Sequence, residues 1–220
     1  ELILHAIEKI KENYSEKPNL LTAFFREATK QNDNYISLSE AIIDIYKTPY
    51  YNNSEDLVKL KKGRRGSNTE ESELVNMVVE GGLYNSIQLD IVKYGVSFLD
   101  PEEMHNYEYT MDKQISLGGR QTYTIHFKFR PDKNFVGFDG NIYLDAESLA
   151  IVRCEFEISN DGLDYARQMM IKKTPPGFQV KPKYGKYEVE YRKYNNSWNL
   201  MHGRSEIGVK VKKKRGSQYK

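Results

Sequence analysis

Residues 138–158, FDGNIYLDAESLAIVRCEFEI, alternate apolar and polar side chains on both sides of a turn-like centre. A period of two repeated on both flanks commits this segment to a β-hairpin. With the turn at Ala146-Glu147-Ser148, Leu144 faces Ala150, Ile142 faces Val152, Gly140 faces Cys154 and Phe138 faces Phe156. Those eight residues, extended by Ile158, share one apolar face. Asp139, Asn141, Tyr143, Arg153, Glu155 and Glu157 share the other.

The chain's single cysteine, Cys154, therefore falls on the apolar side, opposite a glycine that leaves it room. A reactive thiol needs an exposed, electropositive setting, so a structural role is expected here. The acidic residues of the hairpin do not make an EF-hand loop. Counted from Asp139, Tyr143 occupies the fifth position and Gly140 the second, where oxygen ligands at one, three and five and glycine at six are needed. Asp145 reads instead as the first residue of the turn, bonding its own backbone.

The rest of the chain repeats this β-rich grammar. Residues 2–14 carry Ile3, Ala6, Ile7, Ile10 and Tyr14 at three- and four-residue steps, an amphipathic helix ended near Pro18. Residues 20–47 form a hairpin turned by Gln31-Asn32-Asp33-Asn34, with both faces of its second strand partly apolar. LVKLKKGRR at 57–65 is a strand with a basic exit, and 69–80 reads as a second helix with Leu74, Met77 and Val78 as its stripe. Residues 84–104 suggest short helical turns. RQTYTIHFKFR at 120–130 puts Tyr123, Ile125, Phe127 and Phe129 on one face. Residues 163–173 fit a short helix or a strand, and a last hairpin turns at Asn195-Asn196-Ser197. Strand runs broken by two or three helices predict an α+β fold with a mostly antiparallel sheet, and residues 1–220 as a single domain. Seventeen tyrosines against one tryptophan agree with that strand content.

Charge excludes some functions. Thirty-three Lys and Arg against 31 Asp and Glu give a formal net charge of +2, no overall signature for nucleic acid, and the RNP1 pattern of RNA-binding sheets is missing. Basic character is local, at KLKKGRRG (59–66) and VKVKKKRGSQYK (209–220). No run of about 18 apolar residues marks a transmembrane helix. The start at Glu1, without methionine or signal peptide, suggests a mature form or an excised segment. His5, His105, His126 and His202 lack HExxH spacing, GRSEIG is one residue too long for a G-x-S-x-G elbow, and GRRG lacks the end of a phosphate loop. No catalytic residues, metal or cofactor are expected. The remaining enzyme reading is a carboxylate-dependent hydrolase with Glu27 and Glu40 facing each other across the first hairpin.

Four stretches together resemble a known family: AIEKIKENYSEKPNLLTAFFREATKQNDNYISLSEAIIDIYK, DLVKLKKGRR, FDGNIYLDAESLAIVRCEFEIS and YEVEYRKYNNSWNL. In this order they resemble the region that follows the β-sandwich in carboxypeptidase-regulatory-like-domain proteins of Gram-negative envelopes. The regulatory name belongs to that sandwich and implies no peptidase activity. The G-x-I-Y-x-D strand leading into L-A-I-x-R is also similar to lipoprotein-localisation (LolA-like) folds. That resemblance implies a curved half-barrel sheet wrapping helices, with an apolar concave face. It further implies a periplasmic or outer-membrane-associated, non-enzymatic module that binds an apolar ligand, a lipidated chain such as a lipoprotein, or an envelope protein partner. The aromatics placed to line such a concavity are Phe24, Phe25, Tyr123, Phe127, Phe138 and Phe156. The competing reading is a structural or interaction domain with a filled core and an exposed apolar patch.

Overall fold

The computed structural model describes residues 1–52, 54–67, 77–130 and 135–214. In chain order the elements are α1 (Leu2–Glu8), α2 (Ile10–Asn13), β1 (Asn19–Gln31), β2 (Asn34–Lys47), β3 (Leu57–Ser67), β4 (Val78–Val79), α3 (Leu83–Ile87) and α4 (Ile91–Tyr94). There follow β5 (Tyr107–Met111), β6 (Ile115–Leu117), β7 (Arg120–Phe129), β8 (Phe138–Asp145), β9 (Ile151–Ile158), α5 (Arg167–Met170), β10 (Ile171–Lys173), β11 (Phe178–Tyr194) and β12 (Ser197–Lys213). Among these residues a seven-stranded sheet runs β12-β11-β9-β8-β7-β5, with β6 also on β7, and every pairing in it is antiparallel. A three-stranded antiparallel sheet runs β1-β2-β3, and β4 pairs with β10. The fold is α+β with an unclosed, mostly antiparallel sheet.

The large sheet is curled. The guanidinium of Arg120 on β7 lies 5.7 Å over the ring of Trp198 on β12. Four strand spacings separate the two strands in the sheet order, about 19 Å if the sheet were flat. The inner face so formed carries Ile125, Phe127, Phe129, Ile142, Leu144, Cys154, Phe156 and Val189, all buried, and Ile3 and Ala6 of α1 and Ile91 and Val92 of α4 belong to the same core.

Both long hairpins turn as their asparagines direct. Asn32-Asp33 and Asn195-Asn196 have φ values of 47°, 71°, 46° and 66°, the paired left-handed conformation of a two-residue turn matched to strand twist. The central hairpin departs from the expected register by two residues. Gly140 faces Phe156, Ile142 faces Cys154 and Phe138 faces Ile158. Two features move it. The loop spans Ala146 to Leu149, with Leu149 at φ 60° and its amide bonded to the Asp145 carbonyl at 2.8 Å. The register then shifts between Tyr143 and Leu144, which puts an extra residue, Val152, into β9. A slip of two preserves the faces, so Cys154 is still inward and fully buried. The room left by Gly140 serves Phe156: a Cβ there would lie 2.2 Å from the Glu155 carbonyl oxygen and 2.8 Å from Phe156 Cα.

Three further segments compare with expectation as follows. The helix of residues 2–14 is two pieces, α1 and α2, broken at Lys9. Of the helix read over 69–80, residues 69–76 lie outside the described residues, while Val78 and Val79 are a strand held by β10. Residues 163–173 are both things expected of them, a helical turn (α5) followed by a strand (β10).

Asp145 closes the central loop. It accepts from the Ser148 amide at 2.9 Å and its hydroxyl at 2.7 Å, and from Arg120 Nε at 2.5 Å. Burial alone would raise its pKa, but these donors outweigh it and lower the value from 3.8 to about 2. A depressed carboxyl stabilises the fold above its unfolded pKa and loses that contribution as pH falls through the folded one. Wild-type stability should therefore drop between about pH 4 and pH 2, and Asp145→Asn should flatten that part of a chemical-denaturation profile against pH. Gly140→Ala should cost at least about 2 kcal/mol. Gly66→Ala, with nothing within 4 Å of the new carbon, should change stability by less than about 0.5 kcal/mol.

Candidate functional site

The strands bring three of the six candidate aromatics together. Phe127, Phe138 and Phe156 sit on adjacent strands β7, β8 and β9, and all are buried. Phe98, from the short turn Ser97–Leu99, fills the space between them with no exposed surface. Its ring stacks on Phe127 at 4.1 Å and stands edge-on to Phe156 at 5.1 Å and Phe138 at 6.1 Å. Tyr187 stacks on Phe156 at 5.0 Å. Tyr123 is half-buried against the same core. Phe24 and Phe25 belong to the other sheet. Phe25 packs under it with Ala41, Ile43, Ile45 and Ile87, while Phe24 points outward and is 63% exposed. The predicted aromatic lining is thus three separate things: the packed interior of the large sheet, Phe25 in the core beneath the small sheet, and the outward-facing Phe24.

The hydrolase arrangement is not formed. Glu27 pairs with Ser39 and Glu40 with Arg26 across the hairpin, so the two glutamates lie on opposite faces. Glu27 accepts from the Gly82 amide at 2.7 Å, ahead of α3, and Glu40 takes Arg64 at 2.5 Å. Burial pushes the Cys154 thiol well above its ordinary pKa, which suits a structural and not a nucleophilic role. Among the described residues no group of three or more His, Cys, Asp or Glu is arranged to hold a metal ion.

A buried polar cluster was not anticipated from sequence. Lys47, at the end of β2, places its ammonium 2.8 Å from Asp56 and 2.6 Å from Asp90, with all three side chains at most 2% exposed. Lys93 on α4 lies 3.6 Å from Asp56 and donates to the Thr48 hydroxyl at 2.6 Å and the Pro49 carbonyl at 2.9 Å. The Thr48 amide donates to Asp56 at 2.8 Å. Asp90 also accepts from the Tyr50 and Tyr191 hydroxyls, each at 2.8 Å. Two cations meet two anions, so the cluster is neutral as a whole, and no carboxylate lacks donors. Burial first, then the Asp90 charge, holds the phenols of Tyr14, Tyr50 and Tyr191 well above their ordinary pKa. Burial opposes the charge on Asp56, but Lys47 and the Thr48 amide prevail and lower its pKa. Burial lowers that of Lys93.

Such a saturated cluster has no free group to offer a substrate. What it does is fasten. Its members come from β2, the loop after it, α4 and β11, so it ties the three-stranded sheet to the large one. Asn19 on β1 adds a bond to Asn199 on β12 at 3.0 Å. The sequence held one clue: Lys47 continues the buried period-two series Ala41, Ile43, Ile45, where a charge is out of place unless paired.

The three-stranded sheet has one face on α3 and leaves the other open. Registers place Leu20, Tyr46 and Leu57 in one row of the open face, Thr22, Asp44 and Lys59 in the next, then Phe24, Ile42 and Lys62, then Arg26, Glu40 and Arg64. Leu57 is 67% exposed, and Leu20, Tyr46 and Ile42 are exposed too. Of the sequence candidates, Phe24 alone belongs to this surface.

No family model matches the chain, and no curated protein does. A solved structure with a similar trace is a domain from Vibrio parahaemolyticus ascribed to outer membrane lipoprotein sorting, 11% identical, with a TM-score of 0.37 over 98% of this chain and 93% of its own. The α+β assignment rests on the strand order and registers above, not on that likeness. No helix among the described residues is long and apolar enough to cross a membrane.

Lys47→Met strands a buried negative charge and should cost about 3–5 kcal/mol in urea denaturation. Lys61→Met, which removes a pair with Asp44 at 3.4 Å from a half-exposed lysine, should cost less than about 1 kcal/mol.

Proposed function

We propose that this chain is a non-enzymatic interaction module that docks through the open face of β1-β2-β3, and that its two sheets act as one domain. The carrying observation is a pairing: an interior occupied by its own aromatics, with Phe98 at its centre, beside a sheet face that leaves Leu20, Phe24, Ile42, Tyr46 and Leu57 exposed. Large apolar side chains exposed together on one face mark interaction sites in folded proteins. The bacterial-envelope setting comes from the sequence resemblance and belongs to this proposal. A lipid or lipidated chain held inside the large sheet would require Phe98 to leave its place between Phe127 and Phe156.

Two measurements test this reading. Native mass spectrometry after gentle purification should show the bare chain mass. Binding of an apolar dye such as bis-ANS should fall several-fold in Phe24→Thr/Leu57→Thr, which keeps β propensity while removing apolar surface. A co-purified lipid retained in that double variant, or dye binding left unchanged by it, would overturn the docking reading.

A further inference from the structure

The open face carries charge as well as apolar surface, and the two are interleaved. Along β3 the outward residues run Leu57, Lys59, Lys62, Arg64, with Lys61 reaching Asp44 of the same face. Arg26 joins them from β1. Five cations against Asp44 and Glu40 leave this face at +3, five minus two. Arg64 and Arg26 are paired with Glu40, and Lys61 with Asp44. Lys59 lies across from Asp44 without closing on it, and neither Lys59 nor Lys62 forms an ion pair with a described residue.

Lysines on an edge strand blunt edge-to-edge pairing. That role does not account for the phenylalanine, leucines, isoleucine and tyrosine exposed beside them. Protein–protein interfaces segregate, with an apolar centre depleted of lysine and a polar rim. Here Lys59 stands in the row between Leu57 and the Phe24–Ile42 pair, and Lys62 ends the row of that pair, beside Ile42. A second copy placed face to face would set +3 against +3. The surface of an anionic bilayer accepts interleaving, because lysine stems run alongside apolar side chains while their ammonium groups reach phosphates. Stable attachment without a spanning helix needs two signals, apolar insertion and a basic cluster, and both are on this face.

From this geometry we infer that the open face of β1-β2-β3 docks on an anionic phospholipid surface, with Leu57, Phe24 and Tyr46 entering the interface and Lys59 and Lys62 on the headgroup phosphates. The inference rests on the docking reading above and names its partner.

Sedimentation of the full chain with phosphatidylcholine vesicles, with and without phosphatidylglycerol, tests it. Binding is expected only with phosphatidylglycerol, and should weaken as salt shortens the screening length from about 10 Å at 0.1 M to about 3 Å at 1 M. Lys59→Gln/Lys62→Gln should lower the partition coefficient roughly tenfold or more, and Phe24→Thr/Leu57→Thr should lower it as well. Lys181→Gln/Lys210→Gln, a facing pair on β11 and β12, serves as the control and should leave it unchanged. Absence of binding to the anionic vesicles, binding indifferent to phosphatidylglycerol, or equal loss in the control variant would overturn the membrane assignment. If vesicles fail while the dye still reports the patch, docking stands with a protein occupant, and a concentration-dependent dimer abolished by Leu57→Thr would identify a second copy. If vesicles and dye both fail, the docking reading falls too.

Discussion

A lysine ammonium held between two buried aspartates is the constraint on which the rest of this structure depends. Lys47 enters the junction from the small sheet, Asp90 stands at the head of α4, and Tyr191 reaches in from the large sheet. Charges removed from water are expensive, and a well-packed apolar junction of the same volume can be as stable or more so. The ionic version adds direction. Carboxylate and hydroxyl bonds fix which residue of β2 meets which turn of α4, whereas apolar surfaces slide. Tyr14 braces the same junction, its ring 5.0 Å from Tyr50 and its hydroxyl on the Ile151 carbonyl at 2.6 Å.

That fastening determines which surface is left over. With Ala41, Ile43 and Ile45 turned toward α3, the alternation of β2 sends Ile42, Asp44 and Tyr46 outward. The exposed face is a consequence of the buried one. The large sheet has gone the other way: its curl encloses a core in which Phe98 replaces whatever a hollow sheet would hold. One sheet is closed by its own side chains, and the other leaves one face exposed.

Period-two alternation made most strands legible before the structure, and paired asparagines marked both long turns. Register was less legible. A loop containing Leu149 at positive φ and an extra residue at Val152 shifted the central hairpin by two, and neither residue type announces that behaviour. Faces survived because two is a full period, so Cys154 was placed correctly while its partner was not. Phe98 is not legible as the filler of the aromatic core because it sits in a short turn with no periodicity of its own. The charge cluster escaped because Lys47, Asp56, Asp90 and Lys93 lie far apart in sequence and only the tertiary fold brings them together. Phe24 stands out in the sequence as an aromatic, but alternation alone does not say which side of its sheet is covered.

The charged junction acts as one neutral unit. A double-mutant cycle of Lys47→Met and Asp90→Asn measures this, since each single change leaves one uncompensated buried charge and the pair restores neutrality. The expected result is a double variant less destabilised than the sum of the singles by about 2 kcal/mol or more. Additivity to within about 0.5 kcal/mol would contradict it.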